Sequence, residues 1–440
     1  MRLVAPFLLL MVLTTHSQAD PTGPKIETWT TANGARVLFV RTPGLPMVDV
    51  EVAFAAGSSW DGGKAGLAAL TAAMLEKGGA GKWSADQVAR RLEEVGAHLS
   101  TGASREIAWL SFRTLTKEEA LERVLETAAA MLTLPRFDEK DLERERARWL
   151  LMLKRREESP GSLVDLLFYK TLYPDHPYGS PVEGEPETVR KIARSDLVDF
   201  HRRYYVARNG LVAIVGDVDR RGAERIAERL MEGLPAGEPA PPIPEVASVK
   251  PRTVWHPFAS NQAHIRVGMP LIRRGDPDYI PLYVGNHILG GGGFTSRIVE
   301  EIREKRGWAY SAYSSLAPLK EEGPFVAGLQ TRSDQAESAL QLLKRVIFRF
   351  REEGPTEEEL ALAKKNIVGS FVLRYDSNAK LLGYLVTIGY YGLPLDYLEW
   401  FPKRVEEVTV EEVRQTFQDR FDPEKLSAVV VGPKGRGAAQ

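Results

Sequence analysis

The chain alternates between short strand-like runs and longer stretches of helical period. Residues 37–40 (Val-Leu-Phe-Val) and 48–54 (Val-Asp-Val-Glu-Val-Ala-Phe) read as strands, the second with the two-residue alternation of a half-buried strand. Residues 85–95 and 117–132 place apolar side chains three and four apart and predict amphipathic helices. Past residue 250 the grammar returns: 264–269 and 324–329 predict strands, the latter entered through Gly323, and 336–350 and 357–371 predict helices. Each half closes on an apolar run ended by glycine, at 209–217 and 425–433. Strands first, then helices, then a closing strand predict an α+β fold. The expectation is two tandem homologous domains, each a mostly antiparallel sheet with helices packed on one side.

Gly216 and Gly432 lie 216 positions apart, and the helix openings at Phe137 and Pro355 lie 218 apart. Two unrelated features at nearly one offset point to tandem duplication. Between them, five of the ten residues 235–244 are proline. So rigid and donor-poor a stretch reads as an extended linker. The expected division is a first domain over 20–234, a linker over 235–250 and a second domain over 251–440.

Composition narrows the chemistry. At 440 residues the chain exceeds what one core usually supports. Lys and Arg total 58 against 59 Asp and Glu, which speaks against a surface built to neutralise nucleic acid. With no cysteine, disulfides, thiol nucleophiles, Cys-ligated zinc and iron–sulfur clusters are excluded. Residues 1–19 have Arg2, an apolar run over 3–13 and the small-x-small pattern Ser17-Gln18-Ala19, as a cleavable export signal does. That run is shorter than the roughly 20 residues needed to span a bilayer, so no membrane anchor is expected. The expected location is periplasmic, for a Gram-negative source.

Longer motifs carry a family likeness. In the first half these are Gly57-Ser58-Ser59, Gly66-Leu67-Ala68, His176-Pro177-Tyr178-Gly179-Ser180-Pro181-Val182-Glu183-Gly184 and Val215-Gly216-Asp217. In the second they are Leu289-Gly290-Gly291-Gly292-Gly293-Phe294-Thr295-Ser296-Arg297 and Glu301-Ile302-Arg303-Glu304-Lys305-Arg306-Gly307-Trp308-Ala309-Tyr310. Their order across the chain resembles the pitrilysin, insulysin and mitochondrial processing peptidase family, the inverzincins. The resemblance implies a half clam-shell and, in active members, H-x-x-E-H on a helix of the first half. Positions i, i+3 and i+4 share a helix face, so two imidazoles can hold zinc beside a carboxylate base. Aligned on Gly66-Leu67-Ala68, those three positions are Ala69, Ala72 and Ala73. The family's third ligand, a Glu further along, falls near Met152, and residues 146–154 contain no Asp or Glu. Methyl groups and a thioether at these positions predict no metal and no cofactor in this chain.

The resemblance further implies an Arg and a Tyr, seven apart, that contact the substrate backbone; Arg303 and Tyr310 match them. A helix from about residue 296 is expected to stop at Arg306-Gly307, with a strand following from Trp308. A guanidinium and a phenol can both donate to a carbonyl oxygen and to the oxyanion it becomes. On spacing alone Arg303 belongs to a charged helix face, and the surrounding motif is what favours function. Gly290, Gly291, Gly292 and Gly293 read either as a substrate-contacting loop or as a tight turn before a helix. His256 and His264, eight apart, are not expected to share a metal, and His98 and His287 read as packing or surface residues. The charges over 144–158 alternate in sign and read as a solvated helix.

These readings converge on a non-zinc-binding subunit of an exported heteromeric metallopeptidase. A homologous H-x-x-E-H partner would carry the zinc, and peptides would be the substrate. The alternative is a catalytically inactive scaffold or peptide-binding module of the same fold.

Overall fold

The computed structural model describes residues 23–433; the expected export signal lies outside them. Strands β1 (Glu27–Thr30), β2 (Arg36–Arg41), β3 (Met47–Phe54), β4 (His98–Ala103), β5 (Ala108–Leu115) and β6 (Gly210–Gly216) form one sheet, ordered β1-β2-β6-β3-β5-β4. Strands β7 (Thr253–Pro257), β8 (Gln262–Ile272), β9 (Ala309–Leu316), β10 (Gly323–Arg332) and β11 (Ser427–Gly432) form the other, ordered β7-β11-β8-β10-β9. Without β1 the two orders are the same. Each sheet has one parallel pair, β2–β6 and β7–β11, and is otherwise antiparallel. The glycine-ended runs are the inner strands β6 and β11, buried along their whole length, which is why they show no polar alternation.

The helices begin where local chemistry dictates. Thr356 accepts from Glu359 N at 3.2 Å while the Glu359 carboxylate accepts from Thr356 N at 2.8 Å, a reciprocal cap that opens helix Glu357–Phe371. Ser84 and Gln87 do the same for helix Ala85–Glu93. In the first half, helices Leu67–Lys77, Glu118–Thr133 and Arg220–Met231 bury their apolar faces in one cluster with Val37, Phe39, Val50 and Val52 of the sheet.

The opposite face of each sheet is covered by a helix from the other half. Leu38, Val40, Ala53, Leu211 and Ala213 of the first sheet belong to the second half's core cluster, which includes Leu385 and Ile388 of helix Asn378–Tyr391. Approach is so close that a Cβ on Gly389 would lie 2.7 Å from both methyls of Leu211. Reciprocally, helix Pro160–Leu172 of the first half packs Val164, Phe168 and Leu172 with Val429 and Val431 of β11. The two exchanged helices start 218 residues apart, the offset of the duplication. Both halves therefore donate the same helix, and each sheet is sealed on both faces.

A polar key sits at the same junction. The buried Glu106 carboxylate accepts from Tyr178 Oη, from Tyr391 Oη at 2.7 Å and from Lys320 N at 2.8 Å, the last two belonging to the second half. Residues 235–252 have no regular secondary structure, and the proline-rich part is a strap rather than a free linker. Pro235 and Ala236 carbonyls accept from Ala207 N and Arg208 N at 2.9 Å, Pro241 O from Trp60 Nε1 at 3.0 Å, and Pro244 O lies 2.7 Å from His176 Nε2. Prolines lack N–H donors but keep their carbonyls, and these, with Ala236 O and with Ala240 N donating to Asn209 Oδ1 at 2.9 Å, pin the strap to the first half. Among the described residues no helix is long and apolar enough to cross a membrane.

Candidate functional site

Helix Leu67–Lys77 carries the alanine positions. It starts at Gly66 (φ 95°), where a Cβ would lie 2.9 Å from Glu183 O; the facing Gly184 (φ 78°) would place a Cβ 2.3 Å from Ala65 O. Only glycine permits both conformations at that spacing. The Asp61 carboxylate accepts from Gly66 N and Ala68 N, each at 2.8 Å, satisfying donors that a helix start leaves open. Burial pushes the Asp61 carboxyl up to about 7 against these backbone bonds. Ala69 and Ala72 are buried and Ala73 half-buried, so the face that could hold a metal is lined by methyls. Met152, on helix Glu139–Glu157, is 40% exposed and lines a cavity of about 570 Å³. None of the four side chains offers zinc a suitable lone pair. Among the described residues no group of three or more His, Asp or Glu could hold a metal ion. Zinc therefore does not fit this face.

The second-half motif departs from the single helix expected over 296–306. Helix Tyr279–Asn286 runs into a π-turn, His287–Gly291, closed by Gly292 N to His287 O at 2.7 Å. After a 3₁₀ turn at Gly293–Thr295, one short α-turn at Arg297–Val299 leads into a second π-turn, Glu300–Glu304, closed by Lys305 N to Glu300 O at 2.9 Å. Widened turns of this kind shift side chains from their α-helical bearing and recur at functional sites. Here both open on one cavity of about 310 Å³: Gly290 and Gly291 come from the first turn and Arg303 from the second. Gly307 (φ 63°) ends the segment, and β9 follows with Tyr310 near its start.

Arg303 and Tyr310 meet at this cavity, joined by Phe294. The Arg303 guanidinium carbon lies 4.6 Å from the Phe294 ring centre and 5.0 Å from that of Tyr310. Its Nε is 3.4 Å from the Glu304 carboxylate. Phe294 and Tyr310 are 70% and 87% exposed, unusual for side chains of their size. Both rings lie at cation–π distance from the guanidinium, and Glu304 faces only its Nε edge. Gly293 (φ 67°) lines the cavity with open space beside it, whereas Gly292 turns towards His287 and does not line it. Gly290 packs against β9, where a Cβ would come within 2.5 Å of Ser314 N.

Phe294 escaped the sequence reading, although an aromatic ending a glycine run was its available signal. His256 and His264 are both paired with Val431, on opposite sides of β11. Two strand spacings, about 10 Å, separate them and rule out a shared ion. His98 is exposed; burial, aided by nearby Arg374, lowers the pKa of His287.

Two family models match the chain: insulinase (peptidase family M16) over residues 36–185 and the peptidase M16 inactive domain over 191–367. Among curated relatives, an uncharacterized zinc protease of Mycobacterium tuberculosis is 28% identical over 430 residues, covering 96% of each chain. The non-peptidase homolog YmxG of Helicobacter pylori is 27% identical over 404 residues, covering 90% of this chain and 92% of its own. A Pseudomonas fluorescens structure described as a peptidase M16 inactive domain is 37% identical, with a TM-score of 0.90 over 93% of this chain and 98% of that one. The periplasmic protease PqqL of Escherichia coli shares the fold at 16% identity, with a TM-score of 0.75 over 98% of this chain and 49% of that one. The two-domain half clam-shell is common to these structures.

Proposed function

The chain belongs to peptidase family M16, and from that membership we propose that it is the metal-free subunit of an exported zinc metallopeptidase. A homologous chain carrying H-x-x-E-H supplies the zinc and the general base. Arg303 and Tyr310 of this chain hold the substrate backbone and donate to the oxyanion as the tetrahedral intermediate forms. Gly290, Gly291 and Gly293 let a peptide approach the backbone closely. Residues 1–19 direct export, to the periplasm in a Gram-negative cell.

The observation that carries this reading is Arg303 itself. Among the described residues its one ion partner is the neighbouring Glu304 at 3.4 Å, and two exposed rings lie within 5.0 Å of its guanidinium carbon at a cavity edge. A guanidinium kept only for solubility needs no such pair of rings. The names "inactive domain" and "non-peptidase homolog" among the relatives agree with a chain that does not cleave alone.

Co-expression with an H-x-x-E-H homologue tests the proposal. The pair is expected to co-purify and cleave peptides, with zinc in the partner only. Arg303→Ala is expected to lower kcat of the pair at least tenfold, as loss of an oxyanion donor does. Wild-type turnover by that variant would remove Arg303 from the mechanism. Co-purification with an unrelated protein would favour the scaffold alternative.

A further inference from the structure

The cavity that Met152 lines holds more guanidinium than carboxylate. Arg105, Arg155 and Arg156 line it against Asp165 and Glu183. Asp165 is already engaged by Arg266 of the second half, through Nε at 2.7 Å and Nη2 at 3.4 Å. Glu183 lies 3.3 Å from Arg156 Nη1, while Arg156 Nη2 donates to Gly184 O at 2.8 Å and Arg156 Nε is buried without a partner. Arg105 donates from Nε to Tyr178 O at 3.0 Å and stacks 3.5 Å above the Tyr169 ring. Among the described residues neither Arg105 nor Arg155 forms an ion pair. Three guanidiniums thus face one carboxylate not committed elsewhere.

Burying a guanidinium without an anion is unfavourable, and burial holds Arg105 below its usual range. The remaining walls include Met152, Leu166, Pro181 and Val182, which suit an acid carried on carbon better than a fully hydrated ion. Contacts also lead from this cavity to the Arg303 site. Arg266, the partner of Asp165, lies 5.6 Å from the Tyr313 ring, and Tyr313 lines the cavity of Arg303 and Tyr310. The Asp165–Arg266 ion pair and the Tyr313 ring thus connect the linings of the two cavities.

We propose that the arginine-lined cavity is a carboxylate subsite, taking a C-terminal carboxylate or an Asp or Glu side chain of a peptide lying at Arg303 and Tyr310. It rests on the reading that this chain handles peptides and gives that reading a substrate class. Near Met152, where the family resemblance would place a metal ligand, this chain offers an anion pocket.

Fluorescence anisotropy with the full chain and four labelled peptides tests it. One peptide has an internal Glu and a free C-terminus, one has Gln in its place, one is C-terminally amidated, and one carries both neutral changes. The doubly neutral peptide is expected to bind at least tenfold more weakly, and the single neutralisation that reproduces this loss identifies the group bound. Arg155→Gln, at an exposed position with no protein partner, is expected to weaken the acidic peptide severalfold and leave the neutral one unchanged. Met152→Glu, placing a carboxylate on the wall, is expected to weaken it further. Equal binding of acidic and neutral peptides, or an acidic preference that survives both substitutions, overturns the subsite and leaves the peptide reading standing. Absence of binding by every peptide at low salt overturns both.

Discussion

Phe168 tests the exchange of helices between the halves. By sequence it belongs to the first half, but its ring is 1% exposed and clusters with Val429 and Val431 of the second sheet. It also lies over Gly268 of β8, where a Cβ would sit 2.8 Å from the ring tip. Phe168→Ala removes about 150 Å² of buried apolar surface, which at about 25 cal/mol/Å² corresponds to about 4 kcal/mol. Partial collapse of the cavity and loss of ring contacts keep the expected value at about 3–5 kcal/mol. Urea unfolding followed by tryptophan fluorescence measures the total, and hydrogen exchange locates it. The amides losing protection should be those of β8 and β11, more than 90 residues away in sequence. Loss of protection confined to β2, β3 and β6, or destabilisation below about 1 kcal/mol, would refute the exchanged-helix account.

Three further outcomes follow from named contacts. Burial pushes the Glu51 carboxyl from 4.5 up to about 7, opposed in part by Ser111. The unfolded chain releases that proton near 4.5 and the folded chain holds it to about 7, so the Glu51 contribution to stability should fall across this window by up to about 3 kcal/mol as pH rises. Glu51→Gln should reduce that slope in denaturation midpoints taken between pH 4.5 and 8, leaving the part due to Asp61, and an unchanged slope would clear Glu51 of the effect. Gly66→Ala combines a positive φ with a 2.9 Å approach to Glu183 O and should cost about 2 kcal/mol or more in thermal unfolding; a stabilised variant would contradict the geometry. In the co-expressed pair Tyr310→Phe should reduce kcat while leaving the unfolding midpoint unmoved, because an 87% exposed phenol contributes little to packing.

Much of the architecture was legible because period and terminators are local. The strand runs at 37–40, 48–54, 264–269 and 324–329 all fall within observed strands, and the helix over 357–371 matches its predicted bounds. The duplication offset recurs in the sheet orders and in the exchanged helices. Long-range geometry was not legible. Helix Pro160–Leu172 looks like any apolar helix, and nothing local says that it covers the other half's sheet. The π-turns at His287–Gly291 and Glu300–Glu304 were likewise hidden, since an extra residue in a turn leaves no clear mark on the apolar pattern. Spacing could bring Arg303 and Tyr310 to one side, but not show that Phe294 would close on the same guanidinium.

The alanine face also lacks the room that a metal site needs. Ala69 and Ala72 are 5% and 0% exposed, and their helix shares a cluster with Leu110, Phe112 and Leu142. A metal-binding face must leave room for imidazoles, an ion and a water, whereas this one is closed by side-chain packing. Placing His at 69 and Glu at 72 would force larger polar groups into filled space, and overpacking of this kind costs about 1–3 kcal/mol at each position. The alanines are therefore part of the core, and single substitutions there do not create a metal site. Met152 differs, being exposed on a cavity wall where a new charge can be accommodated. The alanine positions are thus absorbed by packing, whereas Met152 lies on an open wall shared with Arg105, Arg155 and Arg156.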